Sequence, residues 1–341
     1  MFVLDILERT MQTEPVPRLD LSRIYQPIAA ELDEVERRIQ AQMATYQGVV
    51  GQLMGHVAKF AGKRMRPSVC VLTGKSLGRV TTVHYDVAVV AEMIHNATLV
   101  HDDVLDEAAT RRNLPSVNTK WGTEVSVLFG DYLFAKAFAV CAAIENREVL
   151  LTMAETAKVM CLGELLQNVN RFNFDLSEPD YIDIITRKTA YLFGSCAGLG
   201  AVASGGDAEM RDAMREFGTQ VGIAFQIVDD CLDLTGTESV VGKTLGTDLD
   251  KGKITLPLIA LFRQLPDRER RELQDYISRP QKEDKRRTVL DQLESHGLLD
   301  YALDRADEFV KEAKGRLTVL PRNEFRDALE NLADYVVYRR H

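Results

Sequence analysis

The sequence lacks an excess of positive charge, a closely spaced cysteine pair and an apolar run long enough to cross a membrane. Its formal net charge is −9, which argues against nucleic-acid binding, because such binding needs a basic face. The five cysteines form no CxxC pair, so no zinc site or disulfide framework is predicted. No stretch has about 18 consecutive apolar residues, and the N-terminus is a poor signal peptide. We therefore expect a cytoplasmic protein with reduced thiols.

Strand-like alternation and the Asn-Gly or Asp-Gly turns of hairpins are also missing. Proline is scarce in the middle of the chain, where only Pro115 and Pro179 lie between Pro67 and Pro257. Such spacing suits long helices, because an interior proline costs a helix about 3 kcal/mol. The fold class predicted from these absences is all-α.

Hydrophobic residues recur every three or four positions in segments 31–49 and 325–337, the pattern of amphipathic helices. Segments 86–100 and 123–140 are apolar on nearly every side, which is typical of helices buried on all sides. No linker or repeat interrupts the 341 residues. We expect one domain over 1–341, with 1–20 a loosely packed N-terminal segment.

The stretch "LVHDDVLDEAATRRN", residues 99–113, places carboxylates at the end of an apolar run. Asp102 and Asp106 are four residues apart and so share one helix face, with Asp103 beside them. Carboxylates this close repel each other and favour a bound cation, and carboxylate oxygens suit Mg²⁺. For a single DDxxD, a solvated acidic helix end is the better explanation.

A second copy of the pattern favours the metal-site interpretation. The stretch "FQIVDDCLDLTG" repeats the spacing with Asp229, Asp230 and Asp233, again at the end of an apolar segment. Two such edges facing each other across a cavity need divalent cations, because burying unpaired charge costs several kcal/mol per ion. A diphosphate is the natural anion to bridge those cations.

Basic residues accompany both aspartate clusters. Lysine and arginine are suited to phosphate binding as a mobile charge and as a bidentate donor, respectively. Taken singly, each is equally a surface charge, and we favour a surface position for Arg64 and Lys251. The basic residues near the clusters are Lys63, Arg64, Arg66, Arg111, Arg112, Lys188, Lys243, Lys251 and Lys253.

With these residues in view, the chain resembles the trans-isoprenyl diphosphate (polyprenyl) synthases, of the medium- or long-chain type. The ordered motifs that carry the resemblance are "GKRMRP", "HDDVLDEAATRRN", "GELLQ", "RKTAYLF", "FQIVDDCLD" and "GKTLGTDLDKGKITLP". The resemblance implies an isoprenoid-synthase-type bundle of long helices around a central cavity. It also implies a Mg²⁺-dependent prenyltransferase that condenses isopentenyl diphosphate with an allylic diphosphate by ionisation, condensation and elimination.

The resemblance assigns roles to individual residues. It implies about three Mg²⁺ ions with Asp102, Asp106 and Asp229 as principal ligands, and Asp103, Asp230 and Asp233 adjacent or supporting. The implied isopentenyl diphosphate site is Lys63, Arg66, His95 and Arg112. The implied allylic diphosphate site is Arg111, Lys188, Lys243 and Lys253, supported by Thr189 and Gln226. The residues expected to act in catalysis are Asp102, Asp103, Asp106, Arg111, Lys188, Asp229 and Asp230.

Product length is expected to depend on the helix before Asp102. In the family, an aromatic residue four or five positions before the first aspartate blocks the growing chain early. Here those positions are Thr98 and Ala97, and Ile94 farther up is not aromatic either. We therefore expect a product longer than geranylgeranyl diphosphate. Phe129, Tyr132 and Phe134 could form a floor or be ordinary core, and a farnesyl or geranylgeranyl diphosphate synthase stays open.

Two other functions remain as alternatives. A terpene cyclase shares the metal chemistry but usually lacks a second DDxxD. A regulatory subunit of a heteromeric synthase usually loses one aspartate cluster, and both are intact here. The resemblance further implies a homodimer formed through central helices, for which segment 120–145 is apolar enough, and peripheral membrane contact for product release. His101, next to Asp102, is interpreted as structural.

Overall fold

The structure is a computed structural model and describes residues 20–44, 47–60, 62–236, 246–279 and 285–338. The described residues form α-helices and one two-stranded antiparallel hairpin, β1 (Thr110–Arg111) and β2 (Leu114–Pro115). This confirms the all-α expectation. The helices are α1 Leu21–Tyr25, α2 Ala29–Met43, α3 Gly48–Val57, α4 Met65–Ser76, α5 Thr82–Leu105, α6 Val117–Trp121, α7 Thr123–Ala142, α8 Arg147–Val169, α9 Glu178–Ile185, α10 Tyr191–Ala203, α11 Ala208–Thr235, α12 Thr247–Asp250, α13 Leu256–Gln264, α14 Asp267–Ser278, α15 Lys285–Ser295, α16 Leu298–Arg316 and α17 Glu324–Tyr338.

Short non-α turns join several helices. A 3₁₀ turn, Gln26–Ile28, leads into α2, and another, Leu317–Val319, follows α16. One turn of π-helix, Thr186–Ala190, lies between α9 and α10. It contains the "RKTA" residues, so the irregular turn coincides with a motif that the sequence analysis singles out.

Helix α5 forms the centre of the molecule. It begins with a capping box, in which the Thr81 side chain accepts from a backbone N–H and the His84 ring accepts from the Thr81 N–H. Its apolar residues from Val87 to Val100 are almost all buried, and α2, α4, α7 and α10 pack around it. The polar end at Asp102–Asp106 is therefore presented at the top of a buried apolar helix.

Helices α10 and α11 form the opposite half of the core. They pack along each other more extensively than any other pair of helices, and α16 covers the far side of α11. Asp207 caps α11, which ends at Thr235 beyond the second aspartate cluster. The two aspartate clusters thus lie at the ends of two long core helices.

Helix α7 is the described helix with the length and apolar content of a membrane span, although only 33% of that stretch is buried. Its apolar character therefore belongs partly to the surface. Val127 and Leu128 are exposed on α7, and the contacting helix α8 exposes Leu162, Leu165 and Val169.

Candidate active site

A cavity of about 450 Å³ opens between the ends of the long helices. Its wall includes residues of α5, α7, α8, α9 and α11, the π-turn, and the segment around α12. Four carboxylates from the two DDxxD clusters line it: Asp102, Asp106, Asp229 and Asp230. The structure therefore brings together two clusters that are 127 residues apart in the sequence.

The first cluster is neutralised by cations from other elements. The Lys188 Nζ lies 3.6 Å from the Asp102 carboxylate. The Asp106 carboxylate accepts from Lys253 at 2.8 Å and from Arg171 at 3.2 Å. Burial raises the pKa of Asp102 to about 6. Burial disfavours the charged form of this carboxylate, and the nearby Lys188 ammonium opposes that effect.

Asp103 does not reach the cavity. It is fully buried, and its Oδ1 accepts from Arg111 Nε at 2.9 Å and also from Nη2. Arg111 itself lines the cavity. The middle aspartate of the first cluster therefore orients the arginine, which is the arrangement expected of a supporting residue.

The second cluster is held by a hydrogen-bonded chain. Tyr181 donates to Asp230 Oδ2 at 2.7 Å, and the Gln226 amide donates to Oδ1 at 2.7 Å. Thr189 donates to the Gln226 side-chain oxygen at 2.7 Å. Burial raises the pKa of Asp230 to about 7, and the nearby Asp248 adds to that rise. The predicted supporting residues Thr189 and Gln226 thus fix the orientation of Asp230.

Asp233 lies behind the cavity wall. It is buried, and its side chain accepts a hydrogen bond from the backbone N–H of Asp248 at 3.3 Å. Its backbone carbonyl accepts a second one from the N–H of Gly246, in the turn that precedes α12. It therefore fastens the segment that carries Lys253 and does not contact the cavity directly.

Lys188 is aimed by α8. Its Nζ contacts Glu164 and donates to Gln167 at 2.8 Å, both from the "GELLQ" motif. Burial alone lowers the pKa of Lys188, but Asp102 and Glu164 raise it above its ordinary value. A Cβ on Gly163 would lie 2.4 Å from the Lys188 backbone nitrogen, so glycine is needed for α8 to approach the π-turn.

Lys253 is held between two acidic residues. Its Nζ donates to Asp106 at 2.8 Å and pairs with Asp248 at 3.0 Å. Burial opposes the charge, but both carboxylates raise the pKa of this lysine, so it stays protonated. Lys243, which the resemblance places in the same group, lies outside the described residues.

The predicted isopentenyl diphosphate residues form a second group of charges. Arg66 and His95 line the cavity, and the Arg66 guanidinium lies 4.6 Å from the Phe193 ring centroid. The Arg66 Nε is buried without a hydrogen-bond partner. Burial, and then the charge of Arg66 and Arg112, hold the pKa of His95 well below its ordinary value, so this imidazole is neutral.

Arg112 and Lys63 stand at the edge of this group. The Arg112 guanidinium donates to the Phe60 carbonyl and packs against Gly62, where a Cβ would come within 2.9 Å. The Lys63 Nζ lies 5.6 Å from the Tyr335 ring centroid. Neither residue belongs to the cavity lining itself.

The surface position expected for Arg64 is wrong. Its side chain is only 15% exposed and pairs with Glu36 and with Glu92, whose side chain is 4% exposed. Glu92 also attracts Arg66 and Arg112. The reason for the error is that the partner Glu92 lies 28 residues away, one turn before His95 on α5. The Lys251 side chain is 24% exposed, so it is only partly at the surface, and it pairs with Glu107.

The residues predicted to set the chain length lie on different faces of α5. Thr98 lines the cavity, whereas Ala97 and Ile94 are fully buried and do not line it. Five residues separate Ala97 from Asp102, which at about 100° per residue places them on nearly opposite faces. His101, interpreted as structural, does reach the lining, where its ring packs 6.0 Å from that of Phe134.

The lower lining is apolar. Phe134, Met160 and Cys161 face the cavity below the aspartates, and Leu99 adjoins Thr98 there. Phe129 is buried and stacks on Tyr132, outside this lining. The cavity lining therefore combines the charged groups of the aspartate clusters with an apolar part.

The acidic residues fit a divalent cation that shares its coordination with a ligand. In the described part of the chain no three carboxylate, histidine or cysteine side chains converge as a ready metal cage, because the carboxylates of the first cluster contact lysine and arginine. Mg²⁺ needs no such cage, since it typically takes one or two carboxylates and completes its shell with water and phosphate oxygens. Asp102 and Asp106 on one wall and Asp229 and Asp230 on the other offer such donors.

Three supporting groups were not anticipated from the sequence. Tyr181 on Asp230, Glu164 with Gln167 on Lys188, and Glu92 among the arginines all act through a neighbour. "GELLQ" belongs to the motifs that carry the resemblance, so the sequence did contain a signal for Glu164 and Gln167. Tyr181 and Glu92 have no motif spacing that links them to their partners.

Comparison with known proteins agrees with this geometry. The polyprenyl synthetase family model matches residues 47–293. The octaprenyl diphosphate synthase of Haemophilus influenzae is 33% identical, covering 95% of this chain and 98% of that protein. The all-trans-nonaprenyl-diphosphate synthase (geranyl-diphosphate specific) of Rhodobacter capsulatus is 35% identical, covering 91% of this chain and 95% of that protein.

One solved structure is similar to this chain in both fold and sequence. The polyprenyl synthase of Caulobacter crescentus, crystallised with calcium and isoprenyl diphosphate, superimposes with a TM-score of 0.91 at 35% identity. The alignment covers 96% of this chain and 100% of that one.

Proposed function

This chain belongs to the polyprenyl synthetase family, and we propose that it condenses isopentenyl diphosphate with an allylic diphosphate to give a trans-polyprenyl diphosphate. The observation that carries the proposal is that both aspartate clusters line one cavity, with Lys188 and Lys253 beside the first cluster. The arrangement argues against a terpene cyclase, which usually lacks a second DDxxD, because residues of both DDxxD motifs line this cavity.

Each wall of the cavity has a defined part in binding the allylic diphosphate. Asp102, Asp106 and Asp229 would hold Mg²⁺, about three ions with the substrate, and those ions would stabilise the negative charge that develops on the departing diphosphate. Lys188 and Lys253 stay protonated beside the same carboxylates. Arg111, fixed by Asp103, presents a rigid guanidinium to the same anion.

The second substrate binds on the arginine side. Arg66, with a buried Nε that lacks a partner, and Arg112 supply donors for the isopentenyl diphosphate, and Lys63 adds charge at the edge. His95 is neutral, so it can donate one hydrogen bond without adding charge. The homoallylic double bond then attacks the allylic cation, forming a C–C bond, and the released diphosphate accepts the proton that is lost.

The apolar lower cavity protects the cation from water. Leu99, Phe134 and Met160 present apolar side chains to the cavity, and an apolar lining disfavours water beside the cation. Thr98 leaves the tail path open where an aromatic ring would close it. Together with the octaprenyl and nonaprenyl relatives, this supports a product longer than geranylgeranyl diphosphate.

We also propose a homodimer, because α7 and α8, two helices in contact, expose five apolar side chains: Val127, Leu128, Leu162, Leu165 and Val169. Contiguous exposed apolar surface usually marks an interaction site, and α7 falls within the segment predicted for the interface. Four of the five cysteines are buried and all are free, which suits a cytoplasmic enzyme. Contact with the membrane is proposed for product release only.

The function is tested with farnesyl diphosphate and labelled isopentenyl diphosphate. The purified protein should form an extractable labelled lipid with Mg²⁺, and none after chelation. The D102N variant should lose roughly a hundredfold or more of the rate, whereas D275N, at an exposed aspartate on α14 outside the cavity lining, should keep it. A protein that makes product only when a second chain is added would be a subunit of a heteromeric synthase instead.

A further inference from the structure

The junction after α8 adopts an unusual backbone conformation next to the proposed active site. Phe172 has φ +57°, in the left-handed region that non-glycine residues rarely occupy. Such a conformation persists only where the surroundings enforce it, and it is commonest at functional sites. The preceding residue, Arg171, points toward the aspartates.

Arg171 contacts the first aspartate cluster from outside the predicted motifs. Its Nη2 lies 3.2 Å from Asp106 Oδ1, while Lys253 takes Oδ2 of the same carboxylate. Both charged side chains of the Arg171–Asp106 pair are mostly buried, at 24% and 20% exposed. The plane of the Asp106 carboxylate is therefore fixed by two cations from two different loops.

Phe172 contacts the loop that carries Lys253. Its backbone N–H donates to the Gly252 carbonyl at 2.7 Å. Its ring lies flat against Gly252, where a Cβ would come within 2.6 Å of three ring atoms. Gly252 has φ +71°, so glycine is required there both by the backbone and by the ring.

From these contacts we propose that Arg171 and Phe172 form a brace that positions Asp106 and Lys253 for catalysis. Arg171 holds the carboxylate, and Phe172 holds the loop whose lysine bonds to that carboxylate. Both are positioning residues, because each acts through a neighbour. The proposal rests on the proposed function, in which Asp106 binds Mg²⁺ and Lys253 binds the allylic diphosphate.

The Arg171 half of the brace is tested by R171M, which keeps the apolar stem and removes the guanidinium. The Mg²⁺ concentration for half-maximal activity should rise roughly tenfold, the size expected when a metal ligand loses its supporting hydrogen bond. R171K should restore part of the loss. R270M is the matched control, because Arg270 holds the same loop through exposed Asp175 and should leave the Mg²⁺ dependence unchanged.

The Phe172 half is tested by F172G, which accepts the left-handed backbone and removes the ring. The KM for farnesyl diphosphate should rise roughly tenfold, with the thermal midpoint close to that of the wild type. R270M again serves as the control for general loosening of the loop.

The brace is wrong if R171M needs no more Mg²⁺ than the wild type, or if R270M reproduces the effects of R171M and F172G. Calorimetric binding of inorganic diphosphate in Mg²⁺ gives a readout that does not need turnover, and R171M should bind it more weakly. An inactive wild type would contradict the proposed function. An active wild type with unaltered variants would contradict the brace alone.

Discussion

At the scale of single residues, the site depends on groups that act through a neighbouring side chain. Tyr181, Glu92 and Asp103 each hold a charged neighbour in one orientation. Such supporting hydrogen bonds preserve the geometry of groups that bind a metal or an anion. Their loss should therefore alter binding more than folding.

The Y181F variant removes the donor to Asp230 and keeps the ring. We expect the half-saturating Mg²⁺ concentration to rise roughly tenfold, with only a small change in thermal midpoint, as measured by activity assays over a Mg²⁺ series. Y301F is the matched control, because Tyr301 also donates to a carboxylate, that of Glu178 at 2.6 Å, away from the cavity. Equal effects in both variants would show that Tyr181 has no special role.

His84 predicts how stability depends on pH. Its Nδ1 accepts from the Thr81 N–H and its Nε2 faces the Gly200 carbonyl, and burial lowers its pKa below the ordinary 6.5. The neutral ring stabilises the fold fully above pH 6.5, and this contribution is lost as pH falls toward the folded-state pKa. The thermal midpoint of wild type should drop more between pH 7 and 5.5 than that of H84N, while equal drops would contradict this assignment.

The sequence identifies the aspartates that line the cavity more readily than the residues that support them. Asp102 and Asp106 could be found because the DDxxD spacing places them on one helix face, and Asp229 and Asp230 because the second DDxxD repeats the motif. Arg64, Arg171 and Tyr181 could not, since their partners lie 28 to 65 residues away in the chain. Only the packing of helices brings such pairs together.

At the scale of secondary structure, one face of α5 lines the cavity and another packs into the core. Thr98 faces the cavity one turn below Asp102, and Ala97 faces the core, where it is fully buried. The all-α class and the two long core helices were predicted from periodicity and proline spacing. The sequence alone did not show which of Thr98 and Ala97 faces the tail path. The number of positions before Asp102 does not by itself say which way a side chain points from the helix.

Two variants separate these faces. T98F should place a ring in the tail path and shorten the product, as measured by chromatography against prenyl alcohol standards. A97F should instead overpack the core and destabilise the protein by about 1–3 kcal/mol, seen in denaturant unfolding. A shortened product from a stably folded A97F would show that α5 presents a different face to the growing chain.

At the scale of the whole molecule, the exposed apolar side chains of α7 and α8 are the basis of the proposed homodimer. Leu165 and Val169 are 63% and 74% exposed and follow one face of α8, the helix that also carries Glu164 and Gln167 to Lys188. A homodimer through this surface would bury these side chains and stiffen the wall that aims the lysine.

The L165E variant introduces a charge into this surface and should shift the protein toward monomer in light scattering. V49E is the matched control, because Val49 is similarly exposed at 60% but lies on α3. A wild-type protein that is monomeric at micromolar concentration would contradict the proposed interface.

The length of the product tests the central claim most directly. Purified protein incubated with farnesyl diphosphate, isopentenyl diphosphate and Mg²⁺ should yield an alcohol, after dephosphorylation, that elutes beyond geranylgeraniol. The same reaction without Mg²⁺ should yield none. Absence of any elongated product would contradict the assigned function, and a product that stops at geranylgeraniol or before it would contradict the open tail path past Thr98.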